Sequence, residues 1–149
     1  SLTHIILGQL DVGNAYMFVL YTGLGVVLGH NFPFYMQFKG GKGIAASGGM
    51  IVGLWDWRLV VILLVAFIIS VVVTRYVSVG SLTIMIGFFI LYTIFAIHGD
   101  YNFTSNAKMI EGIVLAGVIA GMAVIRHLPN IKRLIAGTEN KLSFGSKTA

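Results

Sequence analysis

The sequence predicts an all-α fold, a polytopic integral membrane helix bundle with about five spans and an N-terminal stub. Three observations carry this reading. Of 149 residues, 57% are hydrophobic and only 10% charged, where an ordinary soluble domain carries roughly 25% charged residues. Apolar runs long enough to cross a bilayer alternate with short polar turns, giving a mean hydropathy of +0.91. Basic residues also gather in one set of turns, as membrane topology demands. Residues 1–149 therefore read as a single membrane domain. In so apolar a chain the net charge of +5 reports orientation and not a nucleic-acid partner. With no cysteine, a disulfide framework, a Cys-ligated metal and a thiol nucleophile are all excluded.

Taken in order, Ile5-Ile6-Leu7 reads as the end of an apolar helix, and no basic run precedes it, so a signal peptide is a poor description. The expectation is that an N-terminal part of the parent protein is absent. Ala15 to Gly29 is the first span, and Ile44 to Leu54 is a shorter one rich in Gly and Ala. Trp55-Asp56-Trp57-Arg58 resembles an interface belt. Leu59 to Thr74, Leu82 to Ile97 and Met109 to Ile125 follow as spans, with Glu111 expected near an interface. Arg126 opens a polar tail over 126–149. Within it Asn130 to Ala136 reads as a short separate helix, with Pro129 in its first turn and Gly137 at its stop. The pairs Gly25/Gly29, Gly49/Gly53 and Gly117/Gly121 are spaced as in closely packed membrane helices, although chance also accounts for them in a chain with 19 glycines.

Alternating crossings put Lys39, Lys42, Arg75, Arg126, Lys132, Arg133, Lys141 and Lys147 on one side, against Glu139. Arg58 and Lys108 share the other side with Asp11, Asp56 and Asp100. Eight basic residues against two make the first side cytoplasmic. Three polar groups land there. The first is the island from Gly29 to Ser47, with His30, Lys39, Gly40, Gly41, Lys42 and Gly43. Its glycines, lysines and following helix start are the parts of a phosphate cradle, without the Walker spacing. The second is Arg75 to Ser81, with Ser78 and Ser81 as hydroxyl donors. The third is Arg126 to Arg133, with His127 and Asn130. Cations, two imidazoles and almost no carboxylate suit a phosphorylated ligand and exclude paired-carboxylate glycosidase work. His30 and His127 lack carboxylate or Cys company, so no metal is expected. Simpler roles stand beside these: His30 capping helix carbonyls, Arg126 anchoring at the interface, Ser78 or Ser81 capping a helix, and Lys132, Arg133 and Lys141 meeting anionic lipid.

Leu28-Gly29-His30-Asn31-Phe32-Pro33 followed by Phe38-Lys39-Gly40-Gly41-Lys42-Gly43-Ile44-Ala45 resembles the second motif of the bacterial acyl-phosphate:glycerol-3-phosphate acyltransferases. Arg75 to Ser81 and Arg126 to Glu139 are similar to two further segments of that family, in the same order. The resemblance implies a seven-helix membrane enzyme of the bacterial inner membrane, with its motifs and C-terminus cytoplasmic. Here the later five helices would be present, without the family's first motif. The implied reaction moves a fatty acyl group from acyl phosphate to the 1-hydroxyl of glycerol 3-phosphate, giving lysophosphatidic acid and phosphate. No cofactor is implied, and the partners are the two substrates and membrane lipids, with the protein acting as a monomer. His127 and Asn130 match the family's essential His and Asn, with His30 a second candidate base. Lys39, Gly40 to Gly43, Ser78, Ser81 and Arg126 would bind substrate phosphate, and Glu139 would be structural. Leu128 and Pro129 replace a usual Arg-Glu pair. The competing reading is an anion-selective transporter or channel subunit, and a third is a lipid-binding scaffold. The apolar mid-helix residues favour the enzyme over the transporter.

Overall fold

The structure is a computed structural model, which describes residues 12–34 and 40–142. The N-terminal stub and Lys39 lie outside the described residues. Five α-helices follow in order: α1 (Val12–Asn31), α2 (Ile44–Gly53), α3 (Trp57–Thr74), α4 (Val77–Ile97) and α5 (Asn106–Ile135). Three of them, α3, α4 and α5, are long and apolar enough to cross a membrane. At 10 residues α2 is too short to span alone.

The boundaries follow from local chemistry. Asp56 caps α3 by accepting from Arg58 N at 3.1 Å, which satisfies one of the free N–H groups at the helix start. The Arg58 guanidinium closes back on Asp56 at 3.0 Å, reaches Asp100 at 3.0 Å and lies over the Phe95 ring. These bonds tie the start of α3 to the end of α4. At the other end Arg75 turns the chain in the left-handed region at φ 62, and α4 begins two residues later. So tight a turn makes α3 and α4 antiparallel neighbours, and Ser70 Oγ meets Thr83 Oγ1 between them at 3.1 Å. Ser105 caps α5 through Lys108 N at 3.3 Å.

The packing is that of a membrane bundle. Inside lie Leu20, Leu59, Met85, Phe88, Tyr92 and Ile119, all fully buried. Outside, Val61, Ile62, Leu64, Val65, Ile68 and Ile69 of α3 stand exposed, the face that lipid would cover. Trp55 and Trp57 are exposed at the α2–α3 junction. Glu111 accepts from the Tyr21 hydroxyl of α1, which gives the carboxylate a partner. Of the glycine pairs spaced by four, Gly25, Gly29, Gly49 and Gly121 face open space. The tight approaches occur elsewhere: a methyl added at Gly80 would lie 2.5 Å from Val71 Cγ2.

One expectation is corrected. Arg126 to Ile135 does not form a tail with a separate helix; it continues α5, with Pro129 inside the helix. The proline removes only one backbone hydrogen bond, and the turns on both sides carry the helix through it. Thirty residues make a rod about 45 Å long, where the hydrocarbon layer is about 30 Å thick. The helix is therefore longer than the hydrocarbon layer, and His127 and Asn130 sit buried on its continuous last turns.

Candidate functional site

The glycine loop docks on the end of α1. Gly41 N donates to His30 O at 3.2 Å, and a Cβ at Gly40 would fall 2.1 Å from that same carbonyl oxygen. Gly43 sits at φ 76 and starts α2, with Ser47 N donating to its carbonyl at 2.8 Å. The left-handed conformation at this position is natural only for glycine. Asn31 fills the space a Gly43 side chain would need; it is fully buried, and neither amide atom has a hydrogen-bond partner. No side chain caps the N-terminus of α2, so its first N–H groups remain available to an anion.

Three distant segments meet around a cleft of about 840 Å³. His30 comes from the last turn of α1, Lys42 from the loop, Ser78 and Ser81 from α4, His127 and Asn130 from α5, and Glu139 from the chain beyond α5. Gly41, Gly43 and Lys141 also line it. His127 is 1% exposed, and its Nδ1 lies 2.7 Å from Ala123 O. A carbonyl only accepts, so Nδ1 carries the proton and, in the neutral ring, Nε2 holds the lone pair. Asn130 Nδ2 donates to Glu139 at 2.6 Å, which leaves its buried Oδ1 without a partner. The Ser78 hydroxyl is likewise buried and lies beside the Glu139 carboxylate, which it helps to stabilise, while Ser81 Oγ donates to Val77 O at 3.0 Å.

Glu139 holds the roof. It accepts from Asn130 and, at 2.7 Å, from Arg133 Nε. Beyond it Leu142 N donates to Arg75 O at 2.7 Å, and Lys141 lies over the Tyr76 ring, so the chain after α5 crosses the α3–α4 turn. The bond from Asn130, with the Arg133 guanidinium beside it, lowers the Glu139 carboxyl to about 2. Because the folded value is depressed, the stabilisation is complete above the ordinary carboxylate range and is lost as pH falls toward 2. The difference in Tm between the parent and Glu139→Gln, followed by thermal unfolding in detergent, is therefore expected to be largest above pH 5 and to shrink as pH approaches 2. A difference independent of pH would contradict this.

Of the residues singled out from sequence, Gly40 and Arg126 do not line the cleft. Arg126 lies behind the loop, donating to Asn31 O, Gly40 O and Gly41 O, with its guanidinium over the Phe32 ring. Sequence reasoning assigned no role to Asn140 and Leu142, which the return of the chain past α5 brings to the cleft, or to Asn31, which packs against Gly43. Among the described residues no three His, Asp or Glu side chains gather as a metal site would require.

Comparison with known proteins gives a consistent result. The sequence model of a family described as glycerol-3-phosphate acyltransferase matches residues 2–137. A glycerol-3-phosphate acyltransferase of Thermoanaerobacter sp. (strain X514) is 37% identical, over 97% of this chain and 65% of the relative. That of Chlorobaculum parvum is 34% identical, over 87% of this chain and 60% of the relative. Among solved structures, crystal structures of PlsY (YgiH), an integral membrane glycerol 3-phosphate acyltransferase, superpose in their glycerol 3-phosphate and lysophosphatidic acid forms. Their TM-scores are 0.68 and 0.67 at 29% identity, covering 83% of this chain and 56% and 57% of those chains. The chain thus spans about three fifths of the length of the curated relatives it matches.

Proposed function

The chain belongs to the glycerol-3-phosphate acyltransferase family, and from that premise we propose that its cleft transfers a fatty acyl group from acyl phosphate to glycerol 3-phosphate. One observation carries the reading beyond family membership. Lys42, the free N-terminus of α2 and an Nε2 lone pair on buried His127 converge on one cleft from segments far apart in the chain.

The chemistry needs no covalent intermediate. The 1-hydroxyl oxygen of glycerol 3-phosphate attacks the acyl carbonyl carbon, and the bond from that carbon to the phosphate oxygen breaks. The hydroxyl proton passes to a base and then to the departing phosphate. Lysophosphatidic acid and inorganic phosphate result. Lys42 and the α2 N–H groups hold a phosphate by charge and hydrogen bonds. His127 Nε2 is the base, and its Nδ1 bond to Ala123 O keeps the tautomer correct. Asn130, anchored by Glu139, offers its Oδ1 to a substrate hydroxyl. Ser78 adds a hydroxyl beside Glu139, and His30 also lines the cleft. The excess of basic residues at this end supports a cytoplasmic orientation in a bacterial inner membrane.

The test offers palmitoyl phosphate and glycerol 3-phosphate to the full-length polypeptide containing residues 1–149. Lysophosphatidic acid and phosphate are expected to appear in equal amounts. Absence of both, with phosphate flux across vesicles instead, would favour the anion-transport reading. Lys42→Ala is expected to raise the KM for glycerol 3-phosphate by about 10- to 100-fold, the loss of one hydrogen bond to a charged group. An unchanged KM would remove Lys42 from the phosphate subsite.

A further inference from the structure

Arg126 stands one residue before His127 on α5, and successive side chains on a helix diverge by about 100°. His127 therefore turns into the cleft while Arg126 turns behind the glycine loop. There its Nη2 lies 3.0 Å from Asn31 O, 2.8 Å from Gly40 O and 3.0 Å from Gly41 O, and its Nε lies 3.1 Å from Gly41 O. Phe32 covers the guanidinium, with the ring centroid 5.2 Å away. A guanidinium whose donors are directed at three backbone carbonyls is not free to meet a phosphate as a bidentate ligand.

Resting on the functional reading above, we infer that Arg126 is a positioning residue: it draws the carbonyls of the loop away from the phosphate subsite and fixes the loop to the helix that carries His127. The physical reason is electrostatic. A loop carbonyl turned toward a phosphate repels it, while a loop N–H attracts it. With the carbonyls of residues 31, 40 and 41 gathered on one cation and the Gly41 N–H donated to His30 O, the loop backbone is tied behind the cleft, and the uncapped N–H groups at the start of α2 are the donors left for an anion. Because the same rigid helix holds Arg126 and His127, the clamp also sets the distance from the phosphate subsite to the base. No other residue type does this as well. A lysine keeps the charge but is a point donor without the planar fork that reaches several carbonyls at once.

The experiment uses the full-length polypeptide, its Arg126→Ala variant and its Arg126→Lys variant, with two readouts. Amide hydrogen exchange without ligand follows peptides covering residues 40–46, with α3 and α4 peptides as controls for folding. Titration calorimetry follows glycerol 3-phosphate binding. Both variants are expected to exchange residues 40–46 on the order of tenfold faster, with α3 and α4 unchanged, and to bind glycerol 3-phosphate on the order of tenfold more weakly. Added guanidinium at millimolar level is expected to restore binding to Arg126→Ala, and methylammonium is not. Parent-like exchange in Arg126→Ala would overturn the inference. So would full affinity and protection in Arg126→Lys, which would mean that a point charge suffices and that the planar fork does not fix the loop. If the parent itself binds no glycerol 3-phosphate, the functional reading fails, and the exchange readout alone decides the clamp.

Discussion

Replacing His127 with asparagine is expected to cut product formation by about 10²- to 10⁴-fold, the usual contribution of a positioned base. The variant should still fold. The asparagine amide sits where Nδ1 sits, so it can keep the bond to Ala123 O that anchors the ring within α5. What disappears is Nε2 and its lone pair. Glutamine, which places an amide nearer to Nε2, should lose as much activity, because an amide accepts a hydrogen bond but not a proton at neutral pH. Initial rates of phosphate release for both variants, each checked for parent-like Tm, decide the matter. A glutamine variant within tenfold of the parent would mean that His127 orients the hydroxyl by hydrogen bonding and that the proton leaves by another route. The phosphate of the substrate or the neighbouring imidazole of His30 would then be the next candidate.

A methyl group at Gly40 should also be damaging, although Gly40 touches no substrate in the proposed mechanism. The added carbon would lie 2.1 Å from His30 O, 2.5 Å from Pro33 Cδ and 2.7 Å from Asn31 C. Two of these neighbours are backbone atoms at the end of a helix, and they do not move aside as a flexible side chain would. The loop must lift instead, taking Lys42 and the start of α2 with it. Forcing a group into closed packing costs about 1–3 kcal/mol, which corresponds to about 5- to 150-fold in glycerol 3-phosphate affinity if the strain falls on the loop. Gly25→Ala is the control on α1. Nothing lies within 4 Å of the carbon it adds, so affinity and Tm are expected to match the parent or improve slightly. Equal affinities for Gly40→Ala and the parent would show that the loop tolerates a shift and that its docking on α1 is not what shapes the subsite.

These two substitutions also mark how far the sequence could be read. His127 stood out because an imidazole lay beside amides and cations on the predicted basic side, and the structure places it in the cleft. Gly40 stood out for a different reason from the one the structure provides. Glycine-rich loops suggest a backbone free to approach a ligand, yet here the missing Cβ makes room for the end of α1. The same reversal holds for Arg126. Its charge suggested a phosphate ligand, but its guanidinium is directed at backbone carbonyls.

Composition and local order alone determined the membrane bundle, the apolar segments that became α1 to α5, the polar groups that would share one end, and the carboxylate-poor character of the site. These depend on hydrophobicity, periodicity and charge, which each segment carries in itself. Tertiary packing settled two other things: that the chain beyond α5 crosses the α3–α4 turn and brings Glu139 and Lys141 to the cleft, and that Arg126 faces the loop and not the cleft. Each of these turns on which surface lies opposite a side chain. That is a property of pairs of segments far apart in sequence, and no single segment contains it.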